Sequence, residues 1–366
     1  MRVLVWQWGR FGGAPRFAAA LSQAIGSLPG TEAVLSLSNG AELLCSSAAP
    51  RCDLPVTTYG GLASFALRAT AAPFTVRGLA RRIRSLRPDL AVCAQPGPLD
   101  LLMAAALRRL RVPFVALVHD ADAHPGDGMP LQMRLQRALC RRAAAVGALT
   151  AHVGARLRAQ GLAGTASRPL LLLSHPPVAF HVPPRPPGPD GARHLLSFGR
   201  LLPYKGLDLL AEALARLGPR PGLAVRVVGF GPESVTLDAL RALPGVTVEN
   251  RWVPEDAVGC LLGWSDALVL PYREASQSGV AAAALAAGRR VLATRVGGLE
   301  EQLAGAPGAI LCEPDAASLL AGLRRLLDAL RDAAAPPPAD PRAAWSELAA
   351  SLLRQIEALG VQGGQA

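Results

Sequence analysis

Lysine is almost missing from this chain. Of its 38 basic residues one is lysine, Lys205, and the other 37 are arginine. Coding bias, also visible in the abundance of alanine, glycine and proline, accounts for the arginine excess. It does not account for the one position that keeps an ammonium. Tyrosine is scarce as well, with three in 366 residues. No segment offers the roughly 20 consecutive apolar residues of a spanning helix; the nearest, 101–118, is split by Arg108, Arg109 and Arg111. The opening stretch MRVLVWQWGRFGG is broken by Gly and Arg, which reads as a first strand and turn, not a secretory leader. Six cysteines lie scattered without CxxC spacing. They read as small core residues of a reducing compartment, not as a disulfide or metal framework. WGRFGGAP after the first strand lacks GxGxxG spacing, which weighs against a dinucleotide-dependent oxidoreductase. These absences point to a cytoplasmic globular protein.

Hydrophobic residues make up 51% of the chain and charged ones 18%, well away from the composition of disordered segments. The length favours two domains. Charge is divided unequally: residues 1–180 hold 20 Arg and 8 acidic side chains, whereas 181–366 hold 18 basic and 19 acidic ones. Much of the excess sits in three helix-like segments, 77–89, 107–113 and 134–145. A solvated helix face is the ordinary explanation, and a surface for anionic lipid or another polyanion is the functional one. Nucleic acid is disfavoured, because no aromatic interleaving or binding motif accompanies the arginines.

The stretch HVPPRPPGPDGAR, 181–193, cannot hold helix or sheet and reads as a stiff linker. It separates an N-terminal domain, 1–180, from a C-terminal one, 194–332. A second proline-rich break, 333–342, precedes a helix-like segment, 343–360, within a tail 343–366 expected to pack back on the N-terminal domain. Both halves alternate strand-like and helix-like runs. The strands are predicted at 2–8, 33–38, 90–95, 113–120 and 145–150, then at 194–199, 224–230, 246–250, 267–272 and 289–295. Runs this apolar imply strands buried on both faces, hence parallel sheets covered by helices. The expected fold is therefore α/β, two Rossmann-like domains facing a central cleft, with ligands at the carboxyl ends of the strands.

Two turns carry the chemistry. In GRLLPYKGLDLL, Gly199 to Leu210, Arg200 and Lys205 flank the turn between a strand and a helix, where free N–H groups and the helix dipole already favour an anion. An ammonium approaches phosphate oxygens as a compact point charge, which a planar guanidinium cannot do. The second turn lies in YREASQSGV. There Ser278, Gly279 and Val280 open an alanine-rich helix and offer unpaired N–H groups, and Glu274 can accept from sugar hydroxyls. Two phosphate-friendly turns in one domain suggest a nucleoside diphosphate.

GRLLPYKG, VVGFGPE (227–233), the acidic turn before WSDALVLPY, and VLATRVGGLEE together resemble the donor domain of GT-B fold retaining glycosyltransferases of the family-four group. The likeness is strong over 190–305. It is weaker in the first half, through GRFGGAPRFAAAL and LVHD. The resemblance implies that Arg200 and Lys205 hold the donor diphosphate and stabilise the leaving group. It implies backbone contacts from Gly199, Ser278, Gly279 and Val280, with Gly12 and Gly13 letting backbone approach the donor from the other domain. His119 would stand near the reacting sugar and Glu274 among the catalytic residues.

The sequence also departs from the pattern. The family carries two glutamates around the loop-to-helix turn. Here the first is Glu274 or is displaced by one position, and the second falls on the alanine run near Ala283. That gap leaves a non-catalytic homologue open, and a nucleotide-sugar epimerase of the same fold would share the diphosphate site. The expected reaction is retaining transfer of a hexose from a nucleotide-diphosphate sugar to a lipid-linked or polysaccharide-precursor acceptor in cell-surface glycan synthesis. No metal or other cofactor is expected, since the DAD at 120–122 is not placed at the donor turn and the two cations would do the work of a metal. The arginine-rich half suggests a peripheral position on the inner face of the cytoplasmic membrane.

Overall fold

The structure is a computed structural model and describes residues 1–47, 49–61, 64–65, 70–126, 130–183, 192–332 and 334–360. The chain forms two compact units. The first comprises Met1–Ala123, Met129–Ser174 and Arg342–Ala366; the second comprises His124–Gly128 and His175–Pro341.

In the first unit the chain runs β1 (Arg2–Gln7), α1 (Gly13–Gly26), β2 (Glu32–Leu37), α2 (Ala72–Leu86), β3 (Leu90–Cys93), α3 (Asp100–Arg109), β4 (Phe114–Val118), α4 (Pro130–Cys140), β5 (Ala145–Ala148), α5 (Ala151–Ala159) and β6 (Leu170–Leu172). The second unit runs β7 (Arg193–Phe198), α6 (Leu207–Leu217), β8 (Leu223–Gly229), α7 (Val235–Arg241), β9 (Val246–Asn250), α8 (Val258–Trp264), β10 (Ala267–Leu270), α9 (Gly279–Ala286), β11 (Arg290–Thr294), α10 (Gly297–Leu303), β12 (Ala309–Cys312) and α11 (Ala316–Asp332). The last helix, α12 (Pro341–Ala358), returns to the first unit. There Trp345 meets Phe17 of α1 edge-on at 4.9 Å, and Gln355 Nε2 donates to the Leu172 carbonyl at 3.1 Å.

Each unit holds one six-stranded sheet, in the orders β2-β1-β3-β4-β5-β6 and β12-β11-β10-β7-β8-β9. Every pairing is parallel. The second sheet shows why its strands carry no polar alternation. Ala267 and Val269 of β10 face one apolar cluster, shared with α6 and α11, while Leu268 and Leu270 face another, shared with α8 and α9. Side chains alternate faces, but both faces are interior.

Ten strands fall on the runs expected from sequence. The other two, β6 and β12, each lie at one edge of their sheet. Each is three or four residues long, and an edge strand needs neither length nor two apolar faces. The change of unit falls at Ser174–His175, ahead of residue 180. Residues after it are already packed on the second unit, where the Val178 N–H donates to the Ala282 carbonyl at 3.1 Å. Of the proposed linker 181–193, residues 184–191 lie outside the described residues, as do 361–366 of the tail.

Candidate active site

In the second sheet the strand order reverses between β7 and β10. The chain leaves one toward β8 and the other toward β11, so the loops at their carboxyl ends diverge and open a crevice. Both turns singled out above spring from these two strands.

After β7, Gly199 turns the chain at φ +127° and the Leu201 N–H bonds to the Phe230 carbonyl at 2.9 Å. The β8 loop lies so close that a Cβ at Gly229 would stand 1.6 Å from the Gly199 carbonyl oxygen. The glycines of VVGFGPE thus serve the backbone packing behind the turn. Residues Pro203–Lys205 form a short 3-10 turn. Gly206 then enters α6 at φ +64°, where a Cβ would sit 1.8 Å from the Pro271 carbonyl oxygen. No other residue fits that place.

The lone lysine projects among aromatic rings. Its Nζ stands 3.8 Å from the centre of the Tyr272 ring and 5.1 Å from that of Tyr204. The Arg200 guanidinium carbon lies 5.4 Å from the Tyr204 ring. Two of the chain's three tyrosines therefore flank its one lysine. An aromatic face attracts a cation, so the two rings help to hold the ammonium in place. A guanidinium is broader and would spread its charge across the ring plane. Tyr272 is almost fully buried, and burial pushes its hydroxyl up to about 12. That hydroxyl stands 3.4 Å from Ser278 Oγ and stays protonated at neutral pH.

The loop after β10 is tied to the lysine turn. The Arg273 N–H donates to the Tyr204 carbonyl at 2.8 Å, and its guanidinium grips both carboxylate oxygens of Asp208 at the start of α6. This partner holds the Asp208 carboxyl below its ordinary range against the opposing effect of burial. Glu274 is more than half exposed and places Oε2 3.7 Å from His124 Nδ1. The His124 ring stacks on Tyr204 at 4.5 Å with planes 13° apart. His124 was not anticipated: it belongs to the second unit through the short segment His124–Gly128, far from Tyr204 in sequence.

Ser278 corrects one expectation. Its N–H goes to Gln302 Oε1 at 2.8 Å, its carbonyl accepts from Gln302 Nε2 at 3.0 Å, and its Oγ caps α9 by accepting from the Ala281 N–H at 3.2 Å. The residue anchors the turn, and its N–H is not offered to a ligand. The N–H groups of Gly279 and Val280 begin the helix and have no intrahelical acceptor. Val280 lies beside the first turn, with Cγ2 3.7 Å from the Cβ position of Gly199. Arg200, Lys205, Gly199, Glu274, Gly279 and Val280 thus gather at one end of one sheet. Ala283, where a second glutamate was expected, is buried in the apolar cluster beneath it.

Gly12, Gly13 and His119 belong to the first unit. Gly12 takes φ +80° ahead of α1, and a Cβ at either glycine would meet nothing within 4 Å. His119 follows β4 and is buried, its Nε2 donating to the Ala94 carbonyl at 2.8 Å and its ring edge-on to Phe17 at 4.7 Å. A carbonyl only accepts, so Nε2 carries the proton, and burial lowers the pKa and keeps the ring neutral. Asp122 of the DAD stretch is taken by Arg156 and Gln160, both at 2.8 Å. Sequence reasoning also passed over Asp100, a fully buried carboxyl in the same unit. It accepts from the Gly97 N–H at 2.7 Å and from Cys93 Sγ at 3.3 Å, while Oδ1 has no partner among the described residues. Burial pushes it up to about 7.

Two parallel-sheet units of this kind in one chain, the second with a cationic turn at its strand reversal, define the GT-B class of α/β proteins. Residues 11–169 match the family described as Glycosyltransferase Family 4, and residues 192–329 match Glycosyl transferases group 1. The chain belongs to this family of GT-B glycosyltransferases. It is 28% identical over 264 residues to a 2-deoxystreptamine glucosyltransferase of Streptomyces kanamyceticus, covering 66% of this chain and 68% of that protein. Among solved structures it resembles HepE of Anabaena in complex with UDP-glucose, with TM-score 0.67 and 18% identity over 98% of this chain and 99% of the other. It also resembles a sucrose-phosphate synthase of Thermosynechococcus elongatus, with TM-score 0.66 and 16% identity over 98% and 99%. A UDP-GlcNAc 2-epimerase of Neisseria meningitidis bound to UDP-GlcNAc shares the fold as well, with TM-score 0.58 and 11% identity over 97% and 100%.

Proposed function

We propose that this glycosyltransferase moves a hexose from a nucleotide-diphosphate sugar, with retention at the anomeric carbon, to a lipid-linked or polysaccharide-precursor acceptor at the cytoplasmic membrane surface. The observation that carries the donor assignment is the single lysine, flanked by Tyr272 and Tyr204 beside Arg200. Two fixed cations at a strand reversal suit a diphosphate, and their charge stabilises it as it leaves, in the place a metal would otherwise take. The Gly279 and Val280 N–H groups add backbone contacts at a helix start. A single displacement with retention, in which the acceptor attacks from the face the diphosphate leaves and the departing phosphate takes the acceptor proton, needs no protein nucleophile, and none is assigned. His119 and the Gly12–Gly13 turn are assigned by the same reading to the donor sugar, and Glu274 to its hydroxyls. HepE was solved with UDP-glucose, which supports a uridine nucleotide as the first donor to try.

Thermal melting with a panel of nucleoside diphosphates tests the donor site. A ligand at 100 times its dissociation constant adds about 2.7 kcal/mol. Lys205→Ala should lose that gain with unchanged melting of the free protein, and Lys205→Arg should recover little of it. An arginine variant with full ligand response and turnover would remove the reason given for the lone lysine. The epimerase-like fold supports a second reading, in which the sugar nucleotide is isomerised without an acceptor. Incubation with donor alone separates the two, because an epimerase yields an isomeric sugar nucleotide and a transferase does not.

A further inference from the structure

Helix α2 carries two opposite faces. Val76, Leu79, Ala80 and Ile83 are buried in the core of the first unit. Phe74, Arg77, Arg81 and Arg84 follow at helical spacing on the outside, and with Arg109 of α3 they line an open groove of about 540 Å³. Phe74 is 76% exposed, an unusual setting for a large aromatic side chain. None of these four arginine side chains has a hydrogen bond or ion pair among the described residues. Elsewhere the chain's exposed arginines commonly meet carboxylates, as Arg156 meets Asp122 and Arg241 meets Glu233. On α2 no acidic residue is present at all, and the one on α3, Asp100, is buried. The helix N-terminus, where Phe74 sits, lies at the carboxyl edge of the sheet, because helices in parallel α/β units run antiparallel to their strands.

We infer that the α2–α3 face is a docking surface for an anionic lipid bilayer, with Arg77, Arg81, Arg84 and Arg109 on the headgroup phosphates and Phe74 in the interfacial layer. Charge alone would suit any polyanion. The aromatic side chain at the end of the basic stripe selects the bilayer, since a ring gains from the acyl boundary and loses nothing by leaving water. Unpaired guanidiniums on one rigid helix face add their attractions without first breaking ion pairs. Each contributes about fivefold in partition. This deepens the membrane part of the proposed function, and it is measured without donor or acceptor, so its outcome is independent of transfer.

The full-length protein is sedimented with vesicles of phosphatidylcholine alone and of equimolar phosphatidylcholine and phosphatidylglycerol. Binding should be confined to the anionic vesicles and should fall as salt rises. Arg77→Gln/Arg81→Gln should reduce it by about twenty-fivefold, and Phe74→Ser should reduce it by a smaller factor that salt does not change. A control pair, Arg216→Gln/Arg331→Gln, removes the same net charge from exposed arginines that already have carboxylate partners. It should leave vesicle binding nearly intact. Equal losses in both pairs would reduce the effect to net charge and overturn the assignment. So would equal binding to neutral vesicles. Tighter binding to duplex DNA or to inorganic polyphosphate, abolished by the same α2 variants but with Phe74→Ser neutral, would reassign the face to a soluble polyanion.

Discussion

Asp100→Asn should change how stability depends on pH, and the size of the change follows from where the carboxyl sits. Asp100 is fully buried, and the Gly97 N–H and Cys93 thiol that favour its charged form do not outweigh desolvation, so it ionises at about 7. In the unfolded chain the same group ionises at about 3.9. Between those values the folded protein holds a proton that the unfolded chain has released. Stability then falls with rising pH, at about 1.4 kcal/mol per pH unit for this one group. The contribution is whole below pH of about 4 and is lost once the folded carboxyl ionises near 7. An asparagine presents the same shape with an oxygen for the Gly97 N–H and cannot ionise. From about pH 5 to about pH 7 the wild type should therefore lose about 2–3 kcal/mol relative to Asp100→Asn. For a domain of this size that corresponds to about 2–4 °C in melting temperature per kcal/mol. Melting curves of both proteins across pH 4–9 measure it directly, since every other titrating group is shared and cancels in the difference. Parallel curves would refute the argument, because they would mean that Asp100 is ionised in the folded state at ordinary acidity.

Two further outcomes concern the lysine turn. Gly206→Ala should cost at least about 1 kcal/mol from the left-handed backbone alone, and more from the approach to the Pro271 carbonyl; its melting temperature and its response to nucleoside diphosphate should drop together, and a variant that melts like wild type would show that the turn does not depend on this contact. Tyr272→Phe keeps the ring under Lys205 and gives up only the 3.4 Å contact to Ser278, so it should cost no more than about 1 kcal/mol and retain ligand response, whereas Tyr272→Leu should lose the response even where it folds; equal ligand affinity in the two variants would sink the idea that the ring positions the ammonium.

Much of the fold could be read in the sequence because buried parallel strands are written as unbroken apolar runs. β4 and β10 need no context to be seen. β6, three leucines among four, and β12, inside an alanine- and glycine-rich stretch, carry too little contrast, since an edge strand can be short. Lys205 was visible through rarity, and Gly279 and Val280 through the helix start that follows them. Other parts of the site depend on partners remote in the chain. Tyr272 matters because it faces Lys205, His124 because it stacks on Tyr204, and Gly229 because it passes over the Gly199 carbonyl. Ser278 looked like a ligand contact for the same reason: nothing local reveals that Gln302 occupies its backbone. Asp100 resembles any acidic residue in the first turn of a helix until its burial is known.

The return of α12 to the first unit bears on how this protein is made. Phe17 waits for Trp345, and the carbonyl of Leu172 waits for Gln355. The first unit to leave the ribosome is thus the last to be completed. At about 5–20 residues per second, the stretch from Ser174 to Ala358 takes roughly ten to forty seconds to synthesise, and for that interval the α1 face lacks its cover. The second unit needs nothing beyond Pro341 and can close first. A chain truncated after Pro341 should therefore carry a protease-resistant second unit and a first unit that is still protease-sensitive.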